Sequence, residues 1–302
     1  MLYENIRNVP INLSGSVAIK LHMGEKGGKP PIPVEDVRVI FEILESSGCR
    51  PFLIDTTVLY KSIRNTREGY LGIAKDNGYG EFPIVIADDH LFVEKNGIRI
   101  SKQITDADSI LVLSHATGHI LTGFGGAVKN LGMGCLTKDG KRKVHQWTQP
   151  RHDDAKCASC GACIEACPRQ LISFGEDGKL KIDYTHCGGC RRCVLACPTG
   201  ANWHPEDGVK RSFETFAVAA KSVISFFQKN RVMYLTSLNG VTPLCDCSGT
   251  PGEIACKDIG YLVEDDPLKI DQKAVELITK ENPEAINMKT WNLFVEQAKK
   301  HF

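Results

Sequence analysis

The sequence predicts an α/β fold with a mainly parallel sheet, interrupted by one cysteine-rich insert. Three observations lead to this prediction. Apolar runs alternate with helical patterns from the N-terminus onwards, composition changes abruptly at residues 149–154 and again at 203–208, and the α/β pattern then resumes. Strands that alternate with helices are typical of βαβ units, whose strands are parallel. We therefore expect a discontinuous α/β domain at residues 1–150 and 205–302, with a separate module at residues 151–204.

The elements before the insert are predicted from short apolar runs and longer amphipathic patterns. In chain order they are a strand at 17–21, a helix at 34–44, a strand at 51–55, a helix at 67–77, and strands at 84–87 and 110–113. The last strand leads into a glycine-rich stretch at residues 118–134. Loops after the carboxyl ends of strands bind ligands in open α/β sheets, so this stretch is a candidate ligand loop.

The α/β pattern resumes after the insert. Strands are predicted at residues 232–238 and 259–263, and helices at residues 271–279 and 290–299. They are expected to complete the sheet that the first half begins.

Charge and hydropathy exclude two kinds of partner. The 37 Lys and Arg residues nearly balance the 36 Asp and Glu residues, so no global field attracts nucleic acid or an anionic membrane surface. No stretch approaches the roughly 20 apolar residues of a membrane span, and the first residues lack the apolar core of a signal peptide. We expect a cytoplasmic protein. Its thirteen cysteines then indicate metal ligation, because cytoplasmic thiols are kept reduced.

Two cysteine runs, at residues 157–168 and 187–198, share the pattern C-x2-C-x2-C-x3-C-P. In bacterial ferredoxins three close cysteines hold one 4Fe-4S cluster, and the fourth ligates the other cluster. We therefore predict two 4Fe-4S clusters, the first held by Cys157, Cys160, Cys163 and Cys197, and the second by Cys187, Cys190, Cys193 and Cys167. Paired zinc knuckles would not require two identical runs that each end in proline.

The segment between the two runs is predicted to be a β-hairpin. It covers residues 171–182, with its turn at 176–178, and it would join the two halves of an α+β, ferredoxin-like module. The duplicated cysteine run is the clear internal repeat of this sequence.

Other cysteines are candidates for a third metal site. Cys245 and Cys247, with Cys256 farther along, offer soft ligands, and Cys135 lies in the glycine-rich region. The alternative is that these are small buried side chains, which the absence of a closed-site spacing favours. Cys49 is interpreted as packing.

Polar side chains near predicted strand ends are candidates for a substrate or cofactor site. Lys20 and His22 lie at the end of the first predicted strand, His115 follows the strand at 110–113, and His119, Lys129 and Asn130 lie in the glycine-rich stretch. Lys129 could hold an anionic group, and the histidines could ligate a metal or move protons. The alternative is that these groups are hydrogen-bonded parts of the scaffold.

Several segments together resemble a known family. They read VAIKLHMGE, DTTVLY, RNTREGY, GHILTGFGGAVKNLGMGC, TPLCDC and DIGYLVEDDPLKID, and they surround the double cysteine run. This combination is similar to domain of unknown function 362, proteins with an Fe–S centre, over nearly the whole chain. The resemblance implies an α/β domain that carries a ferredoxin module in anaerobic or facultative microbes, and it implies no substrate. Residues 262–267 read LVEDDP, where the resemblance would place an alanine–serine turn before the Asp-Pro.

Three functions are compatible with these features. The first is a redox enzyme, in which the module supplies electrons one at a time to a site in the α/β domain. The second is a non-catalytic electron-transfer adaptor that docks a redox partner protein, and the third is an assembly factor for a metalloenzyme, with Cys245 and Cys247 as transient ligands. A bare carrier needs little beyond the module, and most of the chain lies outside it. We therefore favour an iron–sulfur oxidoreductase that acts on a small-molecule substrate or cofactor.

Overall fold

The computed structural model describes residues 1–248 and 251–302. Within them the chain forms fifteen strands: β1 Leu2–Tyr3, β2 Ser16–Lys20, β3 Arg50–Thr56, β4 Ile84–Ala87, β5 Phe92–Lys95, β6 Ile98–Ser101, β7 Ser109–His115, β8 Thr117–His119, β9 Gly123–Gly125, β10 Arg151–His152, β11 Ile172–Phe174, β12 Leu180–Ile182, β13 Asn202–Trp203, β14 Val232–Ser237 and β15 Tyr261–Glu264.

The same residues form ten α-helices, and short 3-10 turns connect several of the elements. The helices are α1 Val34–Ser46, α2 Arg67–Asp76, α3 Lys102–Thr105, α4 Ala127–Gly132, α5 Lys138–His145, α6 Ala162–Glu165, α7 Arg192–Leu195, α8 Gly208–Ile224, α9 Pro267–Glu281 and α10 Met288–Ala298. No helix in the described part of the chain is long and apolar enough to cross a membrane.

The central sheet has seven strands in the order β1-β15-β14-β7-β2-β3-β4. Strands β14, β7, β2, β3 and β4 are parallel, and β15 and β1 are added antiparallel at one edge. The predicted α/β fold with a mainly parallel sheet is therefore confirmed. Because parallel strands end on the same side, the ends of β2, β3, β7 and β14 bring Lys20, Asp55, His115 and Ser237 to one edge of the sheet.

Both faces of this sheet are covered by helices. Along β7, Ile110 and Val112 face the cluster that includes α4, α8, α9 and α10, while Leu111 and Leu113 face the cluster that includes α1 and α2. All four side chains are fully buried. Burial on both faces explains why the strand reads as a continuous apolar run instead of an alternating one.

Helix α8 was not among the predicted elements. It packs against α4, α5 and α10. Its buried side chains follow the helical period of three and four residues: Phe213, Phe216, Ala217 and Ala220. The signal was therefore present in the sequence, directly after the insert.

Helix α9 begins at Pro267, before the predicted position 271. Asp266 caps it, because its carboxylate accepts hydrogen bonds from Leu268 N and Lys269 N, both at 2.9 Å. A proline at the first helical position needs no backbone donor there. The Asp-Pro of the LVEDDP segment is thus a helix cap. Strand β15, in contrast, starts two residues later than predicted.

The residues between 151 and 203 contribute no strand to the central sheet. Strands β10 and β13 pair antiparallel, which brings Arg151 opposite Trp203 where the chain enters and leaves. Strands β11 and β12 form the hairpin that was predicted for residues 171–182. A small apolar cluster of its own lies inside this segment: Cys163, Ile172, Leu180 and Cys193.

Candidate functional site

Three cysteines of the first run and the last cysteine of the second run line one cavity. Its lining includes four thiols: Cys157, Cys160, Cys163 and Cys197. Apolar side chains of the β11–β12 hairpin, Phe174 and Leu180, line the same cavity. Cys167, the last cysteine of the first run, is not part of this lining. The cavity therefore joins the two runs in space.

The second group of thiols lies around Cys193. Burial, and then the neighbouring thiols of Cys187, Cys190 and Cys167, raise the pKa of Cys193 to about 12. Such an effect requires these sulfurs to be close to one another. Four clustered thiols cannot all ionise without a cation among them, so this donor set suits a metal centre.

The two runs also have the same backbone geometry. In the first run Ser159 and Gly161 have φ of +51° and +76°, and in the second run the equivalent residues, Gly189 and Arg191, have φ of +62° and +66°. Each run then enters a short helix, α6 or α7. Alternation of left- and right-handed backbone turns N–H groups towards a common point, which favours binding of an anionic group. The repeat in sequence is thus a repeat in structure.

Lys20 and Asn130 hold each other at the carboxyl edge of the sheet. Lys20 Nζ lies 2.8 Å from Asp55 Oδ1 and donates to Asn130 Oδ1 at 2.7 Å. Asn130 Nδ2 donates to the carbonyls of Lys20 and Leu113 at 3.2 and 3.0 Å. Lys20 is only 1% exposed. The structure therefore places these two candidates in internal contacts that join β2, β7 and α4.

His22 lies beside a buried arginine that sequence reasoning missed. Arg64 is 1% exposed, and its Nη1 is 2.9 Å from His22 Nε2. Its Nη2 pairs with Glu25 at 2.9 Å, and it donates to the Tyr60 hydroxyl at 2.5 Å. Burial, and then the Arg64 charge, lower the pKa of His22 well below its ordinary value, so the imidazole is neutral. Arg64 stands in a connecting segment, where no period or spacing marks a single arginine.

His115 is bound at both ring nitrogens. Nδ1 is 3.0 Å from an Asp246 carboxylate oxygen, and Nε2 is 2.9 Å from the carbonyl oxygen of Asn239. Burial alone would lower the pKa of His115, but Asp246 and the carbonyl acceptors raise it overall. An imidazolium that donates from both nitrogens fits these contacts. His115 therefore fixes Asp246, which lies between Cys245 and Cys247.

Cys245 and Cys247 lie next to His119. A ring nitrogen of His119 and the two sulfurs are all within 4.8 Å of one another, a group that could hold a metal ion. The two sulfurs are joined as a disulfide. Cys256 is a free thiol outside this group, and the buried Cys135 and Cys49 belong to the two cores that flank the sheet. The structure thus places His119 next to the two cysteines that were predicted as a third metal site.

A close backbone approach brings the His119 turn to these cysteines. Gly118 N donates to the Thr242 carbonyl at 2.8 Å. A Cβ at Gly118 would collide with the Pro243 carbonyl oxygen, so a larger residue would force the two segments apart. The glycine-rich stretch, which was predicted as a ligand loop, is regular in part. It contains the β8–β9 hairpin and helix α4.

Lys129, unlike Lys20, has no bonded partner at the carboxyl edge of the sheet among the described residues. It is half-buried, and its ammonium has no hydrogen bond or ion pair with any residue the structure describes. A Cβ at Gly125 would lie 3.2 Å from Thr117 Oγ1, 3.5 Å from Lys129 Cδ and 3.9 Å from His119 Cβ, so these side chains lie close together. The arrangement leaves a cation available to an anionic ligand beside His119.

The amine of Lys129 should titrate near neutral pH. Burial lowers its pKa from 10.5 to about 8, so the reactive neutral amine is present above pH 8 and lost below it. Competitive acetylation with acetic anhydride across pH, read by peptide mass spectrometry, should give a half-maximal rate near pH 8. Lys141 is the control, since it is bonded to the Thr56 hydroxyl and the Thr57 carbonyl and is shielded from reagent. A half-maximal rate for Lys129 above pH 10 would contradict the assignment.

One aromatic ring connects the cysteine-rich segment to the sheet edge. The Arg169 guanidinium lies over the Tyr60 ring, 3.4 Å from its centroid. Arg169 follows Cys167 by two residues. The Tyr60 hydroxyl in turn lies 3.5 Å from the Cys247 carbonyl oxygen. The side chains of Tyr60 and Arg169 therefore connect the backbone of Cys247 to the segment that contains Cys167.

Comparison with known proteins gives a family without an assigned activity. Residues 17–276 match the model of the family described as domain of unknown function (DUF362). No curated protein matches the chain. The matched range includes both cysteine runs, the sheet-edge residues and the Cys245–Cys247 pair. The chain therefore belongs to the DUF362 family.

Proposed function

We propose that this chain is an iron–sulfur redox protein that passes electrons through two 4Fe-4S clusters to a ligand site in the α/β domain. The observation that carries the proposal is the cavity between the two runs, lined by Cys157, Cys160, Cys163 and Cys197. If each run supplies its fourth cysteine to the cluster of the other run, cysteines of both runs must line one cavity.

The donor sets fit such clusters. Each set offers four thiols, and the equivalent positive-φ residues of the two runs turn backbone N–H groups inward. The fourth cysteine of each run also accepts a backbone hydrogen bond. Leu171 N donates to Cys167 Sγ and Asn202 N donates to Cys197 Sγ, both at 3.4 Å. When bound, a 4Fe-4S cluster accepts and donates one electron at a potential that such hydrogen bonds tune.

The residues of the α/β domain support a ligand site next to this module. Lys129 offers an ammonium that has no ion pair within residues 1–248 and 251–302, and His119 lies beside it. The contact of Arg169 with the Tyr60 ring supports a module that lies next to this edge of the sheet. A non-catalytic adaptor would need a docking surface, but it would not need a half-buried cation beside His119. This contrast favours an oxidoreductase over the adaptor and over the assembly factor.

The proposal is tested by electron flow from reduced methyl viologen, measured anaerobically with and without the small-molecule fraction of a cell extract. Wild-type protein should oxidise viologen faster when the fraction is present. Lys129→Ala should lose most of that stimulation, by about tenfold or more if one charge-assisted contact worth about 1.5–3 kcal/mol is removed. Its iron content should not change, because Lys129 is not a proposed ligand.

The matched control is Lys26→Ala, a lysine exposed on the loop after β2. It should behave as wild type. Viologen oxidation that is independent of the fraction and equal in all three proteins would contradict the oxidoreductase proposal and favour the non-catalytic adaptor.

A further inference from the structure

We propose that Cys245 and Cys247 are a redox-active pair, which alternates between a disulfide and two thiols and accepts two electrons at the sheet edge. This inference rests on the function proposed above, because it names the first acceptor of that site. The pair is separate from the eight cysteines assigned to clusters, and it is the disulfide among the residues that the structure describes.

The location of the pair suits electron delivery. The Tyr60 hydroxyl touches the Cys247 carbonyl, and the Tyr60 ring lies under Arg169. One aromatic side chain thus separates the pair from the segment of Cys167. Cys245 is buried and Cys247 is half-buried, so solvent protons reach the pair at Cys247.

The anchoring of the segment suits a pair that opens and closes without unfolding. His115 holds the Asp246 carboxylate between the two cysteines at 3.0 Å. The backbone of Leu244 donates to the Pro251 carbonyl at 3.1 Å. Both contacts avoid the sulfur atoms, so they persist whether or not the S–S bond is present.

The proton of His119 decides between a redox pair and a metal site. The backbone N–H groups of Leu121 and Thr122 point at His119 Nδ1, at 3.3 and 3.1 Å, so that nitrogen accepts. Because Nδ1 accepts these hydrogen bonds, the ring carries its one proton on the other nitrogen. That proton is on Nε2 by this hydrogen-bond pattern. A protonated nitrogen donates to a thiolate and cannot coordinate a metal.

The reduction balances as follows. The S–S bond breaks, two electrons and two protons enter, and two thiols form. The electrons come singly from a low-potential iron–sulfur donor, the class proposed for the module, and the protons come from solvent at Cys247. His119 acts as a positioning residue, whose Nε2–H stabilises the first thiolate by a charge-assisted hydrogen bond.

The experiment uses the full-length protein, purified without oxygen and without added thiols. Cys245 and Cys247 should resist iodoacetamide as isolated, and both should be alkylated after reduction with viologen, as read by peptide mass spectrometry. Reductive titration should show two more electrons per chain in the wild type than in the Cys245→Ser/Cys247→Ser variant. Cys256→Ser is the control and should keep those two electrons, because Cys256 lies outside the pair.

A second measurement isolates His119. The pH at which alkylation of the reduced pair is half-maximal should rise in His119→Ala and return towards wild type in His119→Gln, which restores an N–H donor. The charged and titratable groups that face the site, Lys129, His145 and Asp246, remain in both variants. A profile unchanged in both variants would remove the role of His119.

Two outcomes would overturn the proposal. One is a pair that stays resistant to alkylation after all other electrons have been taken up. The other is one metal ion per chain beyond the cluster iron, lost in Cys245→Ser, which would identify the third metal site instead. Iron and sulfide are measured in every sample. Their absence would defeat the function proposed above, whereas their presence with an inert pair would defeat this inference alone.

Discussion

Replacing Cys197 by alanine is expected to destroy the cluster of the first run and to leave that of the second run in place. The reason is that Cys197 lines the cavity of Cys157, Cys160 and Cys163, although it belongs to the other run. The chain should lose about half of its iron and sulfide, about four of each. Cys167→Ala should do the reverse, because Cys167 lies near Cys187, Cys190 and Cys193.

Which cluster is lost can be read from the thiols it leaves behind. In native Cys197→Ala, iodoacetamide should modify the three remaining cysteines of the first run, while those of the second run stay protected. Cys256→Ala is the control and should keep all of its iron, since Cys256 lies in neither group. Protection of the first run with exposure of the second would show that each run holds its own cluster.

Replacing Lys20 by methionine is expected to destabilise the fold by about 3–5 kcal/mol. Lys20 and Asp55 form an ion pair at 2.8 Å, and their side chains are 1% and 6% exposed. Removing the lysine leaves a buried carboxylate whose remaining contacts with Tyr70 and the Thr56 backbone do not neutralise it. Asn130 also loses the donor to its side-chain oxygen. The measurement is urea unfolding without oxygen, followed by far-UV circular dichroism.

The matched control for that variant is Lys102→Met. Lys102 pairs with Asp106 on the surface, where both side chains are about half exposed, so its loss should cost about 0–1 kcal/mol. A Lys20→Met protein with normal stability and no turnover would place Lys20 in the reaction instead of in the scaffold.

Much of the fold could be predicted from the sequence because parallel strands buried on both faces leave long apolar runs. Strands β2, β3, β4, β7 and β14 were found in this way to within one or two residues. Short pairs such as β8 and β9, three residues each, leave no such run. The N-terminus of α9 was placed too late, because the Asp-Pro cap was not used as a boundary.

The candidate site was less predictable, because it is assembled by contacts between distant segments. Lys20 was predicted in a strand, and Asn130 and Lys129 in the glycine-rich stretch, yet the first two bond each other, whereas Lys129 has no such partner among the described residues. No periodicity distinguishes these cases. Arg64 and Tyr60 lie in a connection without regular pattern, and the proximity of His119 to Cys245 depends on the close approach at Gly118.

The central claim, that the two cysteine runs hold two 4Fe-4S clusters, is tested most directly by metal analysis of the full-length chain purified without oxygen. The account predicts about eight iron and eight acid-labile sulfide per chain, and bleaching in air as the thiolates are oxidised. Zinc in place of iron, or iron without sulfide, would contradict it.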